Sequence, residues 1–98
     1  MTSEEQARES AKALEDAKAV DVKVYDVRGK SSLADFFVVA TGAAAPHLKA
    51  LVKALPRGAY RVSGAPESGW IVADYVDVVV HVFSPEARAY YALEKLWA

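Results

Sequence analysis

The spacing of apolar residues predicts that helices and strands follow one another along the whole chain. Leu48, Leu51, Val52 and Leu55 recur at helical spacing after Pro46, whereas DFFVVAT at 35–41 is the nearly continuous apolar run of a strand that is buried on both faces. Thr2 and Ser3 before Glu4 and Glu5 predict a capped helix start, and so does Ser84-Pro85-Glu86. The predicted elements are helix 3–19, strands 21–27 and 35–41, helix 46–55, strands 60–63, 70–74 and 77–83, and a helix from 85 to about 97.

This order, α-β-β-α-β-β-β-α, predicts a single α/β (α+β) domain, 1–98, because the sequence contains no internal repeat, low-complexity tract or linker. Hairpins mixed with crossover helices indicate a mixed β-sheet of about five strands with helices packed on its faces. The strand at 35–41 is expected near the centre of that sheet.

The last two strands predict a hairpin whose two faces differ in chemistry. If Tyr75 and Val76 alone form the loop, Asp74 pairs with Asp77, and Trp70 pairs with His81. A two-residue loop requires positive φ, which a β-branched valine adopts poorly, so the turn is the weakest part of this interpretation. One face is wholly apolar and belongs in the core: Ile71, Ala73, Val78, Val80 and Val82. The other carries Trp70, Val72, Asp74, Asp77, Val79, His81 and Phe83.

Composition narrows the classes of function. Of the 98 residues 53% are hydrophobic, none is cysteine, and 12 basic residues against 13 acidic ones give a net charge of −1. The chain therefore lacks thiolate chemistry and the broad positive field of a nucleic-acid-binding protein, so direct RNA or DNA binding is disfavoured. An acidic N-terminus and the lack of a long apolar run predict a soluble cytoplasmic protein with no membrane partner.

Candidate chemistry concentrates on the hairpin. Asp74 and Asp77 as neighbours could hold a divalent metal or act as an acid–base pair, but no third ligand stands at a suitable spacing. His81 within a strand favours a structural role, and Trp70 beside acidic residues is a candidate interface anchor. No P-loop or dinucleotide fingerprint occurs, and we expect no cofactor, no metal and no catalytic residue.

Several motifs resemble one known family. They are Asp26-Val27-Arg28-Gly29, the run Ala34 to Gly42, His47 to Leu51, and above all GWIVADYVDVVVHVFSPEARAYYALEKLW at 69–97. Together and in this order they resemble the ribosomal silencing factor family, also called Iojap-like or RsfS, over nearly the whole chain after the first helix.

The resemblance implies a nucleotidyltransferase-like fold without known catalysis. It implies a cytoplasmic protein, homodimeric when free, that binds the large ribosomal subunit through its fourteenth protein, blocks joining of the small subunit and represses translation. The partner-binding residues carried over by position are Trp70, Asp74, Tyr75, Asp77 and His81. The ribosomal partner is basic in this family, so its charge is complementary to the carboxylates of Asp74 and Asp77. The roles of the other matching residues stay open: Asp35, Thr41, Gly42, Glu86 and Tyr90.

Three positions depart from the family pattern. Val76 stands where a glycine is usual, Ala43-Ala44-Ala45-Pro46 replaces a polar stretch, and the second helix ends early at Pro56. Two alternatives therefore stay open, a nucleotidyltransferase-like enzyme that uses Asp74 and Asp77 around Mg²⁺, and a dimerisation module with another partner.

Overall fold

The computed structural model describes residues 2–96 as a five-stranded mixed sheet with two helices on one face and a short third helix on the other. The predicted order of elements and the α+β class are confirmed. The helices are α1 (Ser3–Asp16), α2 (Ala45–Ala54) and α3 (Pro85–Tyr91). The strands are β1 (Val20–Asp26), β2 (Phe36–Thr41), β3 (Arg61–Ala65), β4 (Trp70–Asp74) and β5 (Val78–Phe83), with 3₁₀ turns at Pro66–Ser68 and Leu93–Leu96.

The strand order in the sheet is β1-β2-β5-β4-β3, and only the β2–β5 pair is parallel. A parallel pair requires a long crossover, and here α2, β3 and β4 all lie between the two strands in the chain. β2 is buried on both faces, as its continuous apolar run predicts. β5 is the middle strand, so its alternate side chains contact both layers of the protein.

The main core lies between the sheet and the helices α1 and α2. Val78, Val80 and Val82 of β5 meet Leu14 of α1 and Leu48 of α2, all with no exposed surface. Gly42 lets α2 approach the end of β2, because a Cβ at this position would lie 2.7 Å from Cδ2 of Leu48. The dry hairpin face predicted from alternation is confirmed: Ile71, Ala73, Val78, Val80 and Val82 are all buried.

The predicted register of the hairpin is wrong. Asp74 pairs with Val79 rather than Asp77, Val72 pairs with His81, and Trp70 pairs with Phe83. The turn lies one residue further along the chain than predicted: the N–H of Tyr75 donates to the carbonyl of Val78 (2.8 Å), which leaves Val76 and Asp77, rather than Tyr75 and Val76, at the tip. Since the pairing differs from the prediction by two positions, every side chain keeps its predicted face.

Several predicted boundaries also differ. α1 ends at Asp16 and not at Ala19, and β3 begins at Arg61 and continues through Ala65. The final helix ends at Tyr91, because Ala92 adopts a left-handed conformation (φ 49°) and a 3₁₀ turn follows. Trp97, predicted on the apolar side of that helix, lies outside the described residues.

Val76 at the hairpin tip has a left-handed backbone with φ of 76°. This conformation costs a non-glycine residue about 1–2 kcal/mol, and glycine avoids that cost. We predict that Val76→Gly raises the free energy of unfolding by about 1 kcal/mol, measured by urea denaturation. Val62→Gly, at an exposed valine in β3, is the control and should destabilise the protein; a loss of stability in both variants would contradict the prediction.

Ser10 in α1 is fully buried, and its hydroxyl has no hydrogen-bond partner among the described residues. An unpaired buried hydroxyl carries a desolvation cost, and alanine also has the higher helix propensity. We predict that Ser10→Ala stabilises the protein by about 1 kcal/mol in thermal or urea unfolding. Glu9→Ala, on the exposed side of the same helix, tests propensity alone. An equal gain in the two variants would refute the role of the buried hydroxyl.

Candidate partner-binding surface

The sheet face turned away from α1 and α2 carries most of the large aromatic side chains. Alternation along β2, β4 and β5 places Phe37, Trp70, Val79, His81 and Phe83 on this side. We call it the aromatic face. α3 and the following 3₁₀ turn cover only its end at Phe83, through Ala87 and Leu93. The rest of the face has no helix over it among residues 2–96.

Trp70 is held in place by three neighbouring rings. Its ring centroid lies 4.6 Å from Tyr91, 5.1 Å from Phe83 and 6.0 Å from His81. Its indole Nε1–H donates to Nδ1 of His81 at 3.2 Å. Aromatic pairs at such distances add about 0.5–1.5 kcal/mol each beyond burial. Trp70 is therefore a half-buried aromatic side chain in a fixed orientation, with its remaining surface open to a partner.

His81 supports Trp70 from a buried position. The imidazole is 8% exposed, packs edge-on against Phe37 and stacks on Phe83. Burial lowers the pKa of His81 to about 4, because a charged ring loses its hydration in this environment. The imidazole is therefore neutral near pH 7, which leaves Nδ1 free to accept the indole N–H. The structural role that the sequence favours for His81 agrees with this geometry.

The three other hairpin residues predicted at the site have different surroundings. Tyr75 is buried on the α1/α2 side, and its hydroxyl donates to the carbonyl of Pro56. Asp74 is half-buried, and its Oδ1 accepts the N–H of Val76 at 2.7 Å, which stabilises the turn. Asp77 is exposed at the tip, while its backbone carbonyl accepts the N–H of Asp35 (2.8 Å).

A cavity of about 580 Å³ opens on the aromatic face between the hairpin and the loop that precedes β2. Its floor is formed by Phe37, Val79 and His81. Its rim includes Leu33 and Tyr60, whose side chains are 80% and 71% exposed. Asp74 and Val76 complete the lining. The cavity combines an apolar floor, exposed apolar rims and one carboxylate, a combination typical of a protein-binding surface.

Leu33, Tyr60 and Tyr91 are not among the site residues predicted from the sequence. Leu33 is the one large apolar residue in the polar stretch Lys30–Leu33, which is the signal that could have identified it. Tyr91 contacts Trp70 only because α3 folds back over Phe83. No local sequence pattern reveals that contact.

A charged cluster holds the C-terminal 3₁₀ turn against β1 and β2. Arg88 pairs with Glu94 (Nε to Oε1, 2.7 Å) and donates to the Thr41 hydroxyl and the Asp21 carbonyl at 2.8 Å each. Tyr25 donates its hydroxyl to Glu94; burial, with help from that bond, raises its pKa to about 12. The hydrogen bonds from Arg88 hold the pKa of Glu94 below its usual range. This cluster closes one end of the aromatic face and lines a second cavity, of about 780 Å³.

The acidic pair predicted as cross-strand neighbours does not form. Asp74 faces Val79 across the ladder, and its carboxylate is engaged with the turn. Within residues 2–96 no group of three or more His, Asp or Glu side chains is arranged to hold a metal ion. Over the same residues, no helix combines the length and apolar character that crossing a membrane requires. The apolar lining of the cavity, and the engagement of the Asp74 carboxylate with the turn, favour recognition through apolar surface at the hairpin.

The depressed pKa of His81 makes folding stability depend on pH. The unfolded chain binds a proton on this residue below about pH 6.5, whereas the folded chain does so only below about pH 4. Between these values acid favours the unfolded state, so stability is complete above pH 6.5 and falls as pH decreases. We predict a loss of about 2 kcal/mol from pH 6.5 to 5, measured as urea-unfolding free energies.

His81→Asn is the matched variant, because its amide oxygen can accept the Trp70 N–H without titrating. Its stability should stay nearly constant over the same interval. The two proteins differ at this one position, so a difference between their pH profiles reports on His81. Parallel pH profiles for wild type and His81→Asn would show that His81 is not the responsible group.

Sequence comparison identifies relatives of the whole chain. The family described as "Ribosomal silencing factor during starvation" (RsfS) matches residues 1–98. Ribosomal silencing factor RsfS of Halalkalibacterium halodurans is 36% identical, with 99% of this chain and 89% of that protein covered. RsfS of Treponema pallidum is 39% identical, covering 89% and 85%. The mitochondrial Iojap-related protein of Arabidopsis thaliana is 38% identical over 92% of this chain and 55% of its own length.

Solved structures agree with these matches. A crystal structure of a Chromobacterium violaceum protein superposes with a TM-score of 0.92 at 34% identity, covering 99% of this chain and 87% of that one. A second, from Bacillus halodurans, gives a TM-score of 0.82 at 34% identity, covering 96% and 94%. By sequence over its whole length, the chain belongs to the ribosomal silencing factor (RsfS) family.

Proposed function

We propose that this protein is a translation repressor that binds the large ribosomal subunit through its fourteenth protein and sterically blocks association with the small subunit. It acts in the cytoplasm and without catalysis. The observation that carries the proposal is the aromatic face, where exposed apolar side chains surround a cavity next to a rigidly held tryptophan. Membership of a family named for ribosomal silencing supplies the ribosome as the site of action.

Trp70 is the proposed anchor of the interface. Its orientation is already fixed by His81, Phe83 and Tyr91, so little side-chain entropy is lost when a partner covers its free surface. Tryptophan is enriched among the residues that dominate binding energy at interfaces. In this view His81 acts mainly by holding Trp70 in place.

The cavity supplies a second point of contact. Leu33 and Tyr60 would close around apolar side chains of the partner, and burial of such groups contributes about 25 cal/mol per Å². Tyr75, buried on the opposite side, would contribute by fixing the base of the hairpin through its bond to Pro56. Asp74 has the same kind of role, since its carboxylate orders the turn at the rim of the cavity.

Asp77 is the acidic side chain best placed for a basic partner, because it is exposed at the hairpin tip. Charge pairs at the rim of an interface act mainly on association rate and on salt dependence. Asp74, half-buried in the cavity wall, would add to the same negative field.

The proposed repression is steric: the bound protein only has to occupy the surface of the large subunit that contacts the small subunit. The molecule measures 33 × 27 × 21 Å, so a bound copy would separate two surfaces that must otherwise touch. We also propose that the free protein forms a homodimer. The exposed side chains of Tyr90 and Leu96, 83% and 77% accessible, are available to bury in such a contact.

The proposal predicts that the exposed rim of the cavity contributes to affinity. The double variant Leu33→Ser/Tyr60→Ser should bind isolated large subunits about 30-fold more weakly in co-sedimentation, since each truncation removes about 1 kcal/mol of contact. Trp70→Ala should weaken binding by about 30-fold or more. Titration of the purified fourteenth protein should reproduce both losses.

Val62→Ser is the matched control, because Val62 is 52% exposed but lies on the other side of the sheet. It should bind as tightly as wild type. Leu33 and Tyr60 are exposed, so their replacement should leave the unfolding midpoint nearly unchanged and separate binding from folding. Undiminished binding by both the rim variant and Trp70→Ala would overturn the proposed surface.

A further inference from the structure

The charged residues are segregated along the chain, although the net charge is only −1. No acidic residue occurs in 36–66, which carries four of the 12 basic residues, whereas all 13 acidic residues lie outside this segment. All four of these cations follow one another at intervals of four: Lys49, Lys53, Arg57 and Arg61. Arg61 lies over the Tyr60 ring, with its Cζ 5.9 Å from the ring centroid. We call the first three residues, Lys49, Lys53 and Arg57, the basic strip.

The fold leaves the three side chains of the basic strip exposed. Lys49 and Lys53 are exposed on α2, whose other side buries Leu48 and Leu51 in the core. Residues four apart on a helix lie about 5–6 Å from each other, measured between their Cβ atoms. Arg57 is exposed just beyond the end of the helix. Since α2 covers the sheet face opposite the aromatic face, the strip and Trp70 can contact different groups at the same time.

Within residues 2–96, none of the three charges takes part in an ion pair. The five ion pairs among the described residues involve Arg8, Lys12, Lys23, Arg28 and Arg88. The elements packed against α2 bring acidic residues of their own, among them Glu9 on α1 and Glu67 in a 3₁₀ turn, but none of these pairs with the strip. The strip therefore presents an unneutralised positive surface to solvent.

We propose that the basic strip binds the phosphate backbone of ribosomal RNA beside the site where the aromatic face docks. This inference rests on the proposed function, which places the protein on a particle rich in RNA. Lysine and arginine side chains supply most phosphate contacts in such complexes, and these contacts position a protein without reading sequence. A low net charge argues against a broad positive field but not against a local contact of three charges.

The experiment compares two triple variants with the same change in net charge. Lys49→Gln/Lys53→Gln/Arg57→Gln removes the strip, and Lys18→Gln/Lys30→Gln/Lys95→Gln removes three other exposed cations that form no ion pair among residues 2–96. Co-sedimentation with isolated large subunits is measured at several KCl concentrations. Binding of a 20-base-pair RNA duplex of arbitrary sequence is measured at low salt.

The strip variant should bind subunits several-fold more weakly at moderate salt. The slope of log affinity against log salt should fall by about 2, since each phosphate contact contributes about 0.7–0.9. The strip variant should also lose the weak binding to the RNA duplex. The control variant should match wild type in each assay, and equal unfolding midpoints would show that all three proteins are folded.

The outcomes separate this inference from the proposed function. If wild type binds subunits and the strip variant binds with the same affinity and salt slope, the inference is wrong and the proposed function stands. If the strip variant loses subunit binding and the control variant does not, but wild type does not bind the RNA duplex, then the strip contacts an acidic protein. That result overturns the assignment to RNA. If wild type fails to bind subunits, the proposed function is wrong. The RNA duplex then tests the inference by itself: loss of duplex binding in the strip variant but not in the control supports it, and equal duplex binding by the two variants overturns it.

Discussion

The parallel pairing of β2 with β5 is the constraint on which the rest of the structure depends. Because the two strands run in the same direction, the chain between them must cross over, and it does so through α2, β3 and β4. α2 joins α1 on one face of the sheet, and the main core forms there. β5 is left in the middle of the sheet, with valines in that core and a second set of side chains on the opposite side.

The opposite side receives much less cover, and the proposed function depends on that asymmetry. α3 has only seven residues, so with its 3₁₀ turn it reaches Phe83 and Val39 but not the hairpin tip. A face rich in aromatic residues and only partly covered would be a liability without a partner. The rings stabilise one another instead: His81 is neutral and accepts from Trp70, and Tyr91 packs against the indole with its ring tilted by 44°. The result is a surface ordered before any partner arrives.

The sequence predicted those features that depend on alternation and composition. Period-two patterns assigned every residue of β4 and β5 to its correct face, and the continuous run at 35–41 identified the doubly buried strand. They also placed Trp70 and His81 on the same face, where the two side chains are in contact. These features were predictable because a strand with one buried face carries apolar residues at every second position, and a strand buried on both faces carries them throughout.

The register of the β4–β5 hairpin was not predictable, because it depends on the backbone conformation of one residue, Val76. A valine with positive φ is disfavoured, so nothing local favours a loop in which Val76 adopts that conformation. The compensation comes from a carboxylate of Asp74 that accepts the Val76 N–H, and from Tyr75, which is buried on the far side of the sheet. Likewise, the end of α3 at Ala92 has no glycine to mark it, and Arg88 holds the turn that follows through partners 47 and 67 positions away.

The same distinction between global and local quantities applies to charge. A net charge of −1 describes the field far from the molecule, where contributions of both signs cancel. At contact distance screening limits each charge to neighbours within about 8–10 Å, so the relevant quantity is the local sum. That sum is negative at the hairpin tip near Asp77 and positive along α2. Two surfaces of opposite sign on opposite faces of one small domain can therefore engage a basic protein and an anionic polymer without competing for the same side chains.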